Sequence, residues 1–292
     1  MGCPVILWLT EKQKLIETEL DRVIPFDDQE PSVIHQAMRY SVFAGGKRIR
    51  PVLFLLAYEL FAPLNQEAVK ACTALELLHT YTLIHDDLPC MDDDDLRRGK
   101  PTLHKTFTES IALLAGDALL TLSFQVLAEL KSKNSATVIK ELATSAGSQG
   151  VIGGQVKDIL SEGKDISLKE LRYIHTNKTA KLIKASVKCG AILAQASETD
   201  LELVENYALN LGLAFQVADD ILDVTGSSEK LGKNTGQDEK QNKATYPKII
   251  GLSESKSELE GLITKAKNSL ASFGKKASKL NEVADFIKER EK

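Results

Sequence analysis

ALELLHTYTLIHDDLPCMDDDDLRRGKPT, residues 74–102, joins an apolar run to six aspartates within ten positions and then to Arg97, Arg98 and Lys100. Acid runs are usually solvated faces, but this one starts where an apolar stretch ends. Apolar residues at three- and four-residue spacing predict a helix up to the first two aspartates. His79, Thr82 and Asp86 fall on one stripe of it, at i, i+3 and i+7. Asp92 lies six residues past Asp86 and would point elsewhere in a continuous helix. Pro89 removes a backbone donor and breaks the helix, and a bulge there would bring Asp92 back beside Asp86. Asp93, Asp94 and Asp95 are then supporting or solvent groups. An EF-hand reading fails, because Arg97 stands where that calcium loop needs glycine.

Outward from this stretch the pattern stays helical. Residues 11–24, 32–44, 51–62, 107–131, 135–150, 168–197, 199–225 and 255–272 carry the same periodicity, and residues 66–88 include the opening helix. Alternating strand patterns are missing. Breaks fall at 25–31, at Gly45-Gly46, at Pro63, at 89–101, at 161–167 and across the polar stretch 226–247, and none is a Ser/Gly linker. One all-helical domain, residues 1–292, with roughly ten or more helices follows from chain length and ordinary helix lengths. Hydrophobic residues make up 43% and charged residues 27%, the composition of a soluble globular protein. A net charge of -4 gives no general attraction for nucleic acid or anionic membrane. No uninterrupted apolar run approaches the ~20 residues that span a bilayer, so no membrane insertion is expected. The start, MGCPVILWLTEK, has no basic region ahead of its apolar run and is not expected to be a signal peptide. Cys3, Cys72, Cys90 and Cys189 show no metal spacing, so reduced thiols and a cytoplasmic protein are expected.

A second acid cluster lies in LGLAFQVADDILDV, where Gln216, Asp219, Asp220 and Asp223 follow i, i+3, i+4 and i+7. Neighbours Phe215, Val217, Ile221 and Leu222 are too apolar for an exposed helix. Carboxylates buried there without partners would cost several kcal/mol, so a metal or a set of cations must face them. Open oxygen-only ligand sets suit Mg²⁺, which keeps waters and accepts phosphate oxygens. The cations narrow the chemistry. Arg97 and Arg98 can clamp phosphate bidentately, and Lys100 adds a point charge. GGKRIRP, residues 45–51, places Lys47, Arg48 and Arg50 just before Pro51, read as the first residue of a helix. Cations there oppose the helix dipole and are poor for stability, but good for holding a phosphate. Two carboxylate sites and two basic sites point to two diphosphates, one chelated by metal and one held by cations.

With GGKRIRP, ELLHTYTLIHDDLPCMDDDDLRRGKPT, AGDALL, GGQVKDI, HTNKTAKLI, FQVADDILDV and LGKNTGQDEKQNKATYP in this order, the chain resembles the short-chain trans-isoprenyl diphosphate synthase family, nearest its bacterial farnesyl-forming members. The resemblance runs from about Ile34 to Pro247. It implies an all-α bundle around a deep central cavity, and a homodimer. It also implies several bound Mg²⁺ ions that bridge the aspartate motifs to an allylic diphosphate. Metal binding falls to Asp86, Asp92 and Asp219, supported by Asp87, Asp220 and Asp223. Arg97, Lys178, Lys233 and Lys243 would hold the allylic diphosphate. Lys47, Arg50, His79 and Arg98 would hold isopentenyl diphosphate. Thr179, Gln216 and the Lys178 carbonyl are the implied dipoles facing a carbocation, with the released diphosphate as proton acceptor. Closure of 226–247 would dry the site.

Product length is the finer question. The resemblance makes Tyr81 and Thr82 the floor of the pocket, and a bulky Tyr81 implies a farnesyl product. Helical geometry alone favours Thr82, because Tyr81 lies roughly 140° round from Asp86. A geranylgeranyl synthase is the alternative. A class I terpene cyclase would not need the second diphosphate site of Lys47, Arg50 and His79. A non-catalytic partner subunit would be expected to lose one acid motif, and both are kept.

Overall fold

The computed structural model describes residues 7–225 and 244–289, and nearly all regular structure in them is helical. The chain forms two compact units, one of Met1–Leu55 with Leu64–Ile139 and one of Leu56–Pro63 with Lys140–Lys292.

The first unit holds α1 (Leu7–Val23), α2 (Ser32–Val42), the start of α3 (Ile49–Glu59), α4 (Gln66–Asp86), α5 (Leu103–Thr106) and α6 (Glu109–Ala128). Helix α4 starts where the Asn65 side chain accepts the Ala68 N–H at 2.9 Å, a cap that satisfies an orphan donor. It buries Val69, Cys72, Leu75, Leu77 and Leu78, residues on more than one face, as a central helix does. Helix α6 packs against it. Gly116 is required there, because a Cβ would overlap the His85 ring. By length and composition α6 could cross a bilayer, contrary to the expectation from uninterrupted runs, since Asp117 had interrupted the count. In this fold it is a packed helix, burying Ala112, Ala115, Gly116, Leu119, Ser123, Val126 and Leu127. Helix α3 begins two residues before Pro51, which therefore sits inside the first turn, where no N–H is needed.

The second unit holds most of α7 (Ser135–Ala146), then α8 (Val151–Ile159), α9 (Leu168–His175), a π turn (Thr176–Ala180), α10 (Lys181–Leu193) and α11 (Glu198–Thr225). After the undescribed residues come α12 (Tyr246–Ile250), α13 (Leu252–Ser269) and α14 (Ser278–Lys288). Helix α8 has no counterpart among the periodic segments of the sequence, which stop at residue 150 and resume at 168, and it carries the pair Gly153-Gly154. A Cβ on Gly154 would overlap the Lys178 backbone nitrogen, so the glycine serves close packing of α8 on the π turn. A capping box of Ser167 and Glu170 starts α9. Lys184 and Lys188 of α10 pair with Glu141 of α7 at 2.9 and 3.2 Å and with Glu205 of α11 at 3.2 and 2.7 Å. Three helices are thus laced by one charge network.

Candidate active site

In the first unit the break after α4 does what Pro89 implied. Helix α4 ends at Asp86, and the Asp92 N–H donates to the Asp86 carbonyl at 2.9 Å. The Met91 and Asp93 N–H groups close on the Leu88 carbonyl at 2.8 and 3.2 Å, and Asp93 takes a positive φ of 50°. Asp86 and Asp92 are therefore neighbours on a tight fold-back, each half-exposed. Asp87 points the other way and is buried, accepting from Arg97 Nε at 2.9 Å and also from its terminal nitrogen. Arg97 also reaches Asp94 at 3.0 Å. Asp95 pairs with Lys105 at 2.8 Å, and the Thr102 hydroxyl donates to the Asp94 carbonyl at 2.7 Å. Two of the three extra aspartates thus brace the loop that carries Arg97.

A two-stranded ribbon, Leu96–Arg97 with Lys100–Pro101, turns at Arg98-Gly99, both with positive φ. Arg98 donates to the Gly45 carbonyl, and a Cβ on Gly46 would come within 2.6 Å of the guanidinium carbon. The glycine pair of GGKRIRP therefore makes room for Arg98. Within that motif the three cations part ways. Arg48 is buried and spends its donors on Glu17 at 2.6 Å, Glu76 at 2.7 Å and the Val42 carbonyl at 2.6 Å, so it holds the fold rather than a phosphate. Lys47 is exposed. Arg50 contacts His79 Nε2 at 3.1 Å. Burial, then the charge of Arg50, pushes the His79 imidazole well below its ordinary range. A guanidinium can only donate, so His79 Nε2 is the acceptor in this pair, which leaves Nδ1 as the ring's donor.

In the same unit Tyr81 is buried, set edge-on against His85 with ring centres 5.6 Å apart. Its hydroxyl finds no hydrogen-bond partner among the described residues, and burial pushes it up to about 12. Thr82 is less buried and returns its hydroxyl to the His79 carbonyl at 2.8 Å.

In the second unit a cavity of about 120 Å³ is lined by Asp158, His175, Lys178, Thr179, Gln216 and Asp220, with further apolar residues. It gathers the motifs GGQVKDI, HTNKTAKLI and FQVADDILDV around one opening. Lys178 and Thr179 lie on the π turn, a local widening often found at functional sites. Lys178 Nζ donates to Asp158 at 2.6 Å, a partner that the sequence reading did not single out although GGQVKDI contains it. His175 is buried, its ring stacked on Tyr246 at 5.5 Å between centres. Burial pushes its imidazole down to about 3. The four-residue stripe of α11 divides in two. Asp219 and Asp223 are half-exposed, whereas Asp220 is buried and accepts the Tyr246 N–H at 2.9 Å. Lys233 and Lys243 lie outside the described residues.

Among the described residues no three carboxylate, histidine or cysteine side chains already converge on one point. The donors that fit Mg²⁺ are the half-exposed carboxylates Asp86, Asp92, Asp219 and Asp223. A few carboxylate oxygens suffice, because this ion completes its shell with waters and phosphate oxygens.

An all-helical chain with two acid motifs, each beside basic side chains suited to phosphate, defines a diphosphate-handling helical synthase. The chain belongs to the polyprenyl synthetase family, whose model matches residues 31–282. It is 47% identical to geranylgeranyl pyrophosphate synthase 4 of Arabidopsis thaliana, over 97% of this chain and 77% of that protein. It is 42% identical to the farnesyl diphosphate synthase of Bacillus subtilis, over 97% of each. Among solved structures it is similar to a geranyltransferase of Helicobacter pylori complexed with magnesium and isoprenyl diphosphate, at 34% identity and a TM-score of 0.83, over 98% of this chain and 97% of that one.

Proposed function

We propose that this protein condenses isopentenyl diphosphate head-to-tail with dimethylallyl and then geranyl diphosphate, forming farnesyl diphosphate and releasing diphosphate. The observation that carries the product length is Tyr81, a bulky side chain buried on α4 five residues before Asp86. The Bacillus relative named for farnesyl diphosphate supports the same reading. A geranylgeranyl product is the second reading, favoured by the Arabidopsis relative's name and higher identity. Incubation with isopentenyl and dimethylallyl diphosphates plus Mg²⁺, followed by chromatography of the products, decides between them. No product would sink both.

Asp86 and Asp92 of one motif and Asp219 of the other would hold Mg²⁺, with Asp223 in support, whereas Asp87 and Asp220, expected from the sequence to assist, are buried and bonded within the fold instead. When bound, the ion neutralises charge on the allylic diphosphate. The chain's own cations complete that work. Arg97, Lys178, Lys233 and Lys243 hold the allylic diphosphate as its C–O bond breaks, and preorganised positive charge facing a leaving group is usually the largest catalytic contribution. Lys47, Arg50, Arg98 and the Nδ1–H of His79 hold isopentenyl diphosphate, whose double bond attacks the allylic carbon. A proton then leaves to the released diphosphate. Thr179, Gln216 and the Lys178 carbonyl offer oxygen dipoles to the carbocation, and exclusion of water protects it.

Turnover that requires isopentenyl diphosphate separates this reading from a terpene cyclase, and activity of the purified chain alone separates it from a non-catalytic subunit. We place the protein in the cytoplasm, supported by free cysteines at 72, 90 and 189. Self-association into a homodimer is supported by α6, whose Leu113 and Leu114 are 46% and 52% exposed.

A further inference from the structure

The second acid motif contains one carboxylate that does not behave like a metal ligand. Asp220 is 3% exposed, while Asp219 and Asp223 of the same motif are half-exposed. Its Oδ2 accepts the Tyr246 N–H at 2.9 Å, and its Oδ1 accepts Gln216 Nε2 at 3.3 Å. Gln216 Oε1 in turn accepts the Thr179 hydroxyl at 2.9 Å. All three residues line the cavity that also holds Lys178.

We propose that Asp220 is a positioning residue whose buried carboxylate fixes, through Gln216, which way the Thr179 hydroxyl points. The inference rests on the prenyl-transfer reading above and deepens it. A carboxylate only accepts, so Gln216 must present its NH₂ group to Asp220 and its carbonyl to Thr179. Thr179 then spends its single hydroxyl proton on that carbonyl. The Thr179 oxygen is left with lone pairs alone for whatever enters the cavity, the polarity that suits a developing carbocation and opposes an anion. Tyr246 anchors the relay from the far side. Its backbone N–H holds Asp220, and its ring is fixed by the stack on His175 and by Arg172 Nε at 3.3 Å from its hydroxyl. An asparagine at 220 could donate to the Gln216 carbonyl. The amide would turn over, and the Thr179 proton would be free to face the cavity.

The test is calorimetric binding, in the presence of Mg²⁺, of two non-reactive allylic diphosphate analogues. One carries an ammonium nitrogen at the carbon that becomes cationic, and the other is its neutral carbon isostere. The parent is expected to prefer the ammonium analogue. Asp220→Asn and Thr179→Val should each cut that preference about tenfold, the size of one net hydrogen bond. The double variant should lose no more than Thr179→Val alone, and Thr179→Ser should restore the preference. Asp220→Asn that keeps the full preference overturns the relay, as does one that instead raises the Mg²⁺ concentration needed for binding, which would make Asp220 a metal ligand. Should Asp220→Asn fail to fold by circular dichroism, the Thr179→Val and Thr179→Ser pair decides, and equal preference in both overturns it. Product formation by the parent is measured separately. A parent that makes prenyl product yet shows no ammonium preference refutes the relay alone, whereas a parent that makes none refutes the proposed function.

Discussion

Tyr81 carries both a specificity and a stability prediction. Its hydroxyl is buried without a partner among the described residues, a condition that costs about 1–3 kcal/mol. Tyr81→Phe should therefore raise the urea midpoint and leave product length unchanged, because the ring stays. Tyr81→Ala should lengthen the products beyond fifteen carbons. An unchanged chromatogram for Tyr81→Ala would remove it as the pocket floor. His175 makes the residue-scale prediction about pH. Its folded value, about 3, lies below its ordinary 6.5, so the unfolded chain binds the proton first as pH falls. The stability of its neutral burial is present in full above pH 6.5 and is lost by about 1.4 kcal/mol per pH unit down towards pH 3. His79 is displaced in the same direction and should add to the slope. Urea midpoints across that window should fall with acid, and His175→Phe should flatten part of the dependence. The residue scale also shows what a lone sequence hides. Lys47, Arg48 and Arg50 look alike in GGKRIRP, yet Glu17 and Glu76, both distant in sequence, claim Arg48 for the fold.

At the scale of elements, glycines decide how closely the segments that carry the motifs can approach. Gly46 combines a φ of +122° with a guanidinium where a Cβ would go, so Gly46→Ala should displace Arg98 and strain the turn. Its expected effect is a KM for isopentenyl diphosphate raised about tenfold with kcat little changed, the loss of one charged contact. Equal loss in both parameters would assign the glycine to folding only. Gly154→Ala should be worse, because the obstacle is the Lys178 backbone rather than a movable side chain. Loss of several kcal/mol of stability is expected, as for overpacking at a rigid site, measured by thermal unfolding. These close approaches were not legible beforehand. Residues 151–160 fell outside every periodic segment, whereas in the fold Gly153 and Gly154 are inside α8. The π turn was equally silent, since residues 168–197 keep helical periodicity through it.

At the scale of the whole molecule, the proposed chemistry separates metal from fold. Chelation by EDTA should abolish turnover without unfolding the chain, because the candidate ligands are half-exposed carboxylates rather than a buried structural cluster. Activity should return on adding Mg²⁺, and circular dichroism should not change throughout. Leu113→Glu with Leu114→Glu should shift the sedimenting species towards monomer if α6 supplies the self-association surface. An unchanged sedimentation coefficient would move that surface elsewhere.

The amino-acid order alone determined the helical class, the whereabouts of most long helices and the candidate residues for the chemistry, but not α5, α8, α12 or α14. Helical period, caps and breakers act within a few residues of chain, so they can be read without knowing the fold. It also foretold the fold-back after α4, because a proline acts on its own backbone. Only the tertiary structure decided which charges are spent internally. Arg48 on Glu17 and Glu76, Asp87 on Arg97, and Asp220 on Tyr246 and Gln216 are pairings across ten to thirty-one residues or from helix to helix, except for the single-turn step to Gln216. A charge near its partner and a charge left for a ligand look the same in sequence. Burial tells them apart, because a charge taken out of water must be paired.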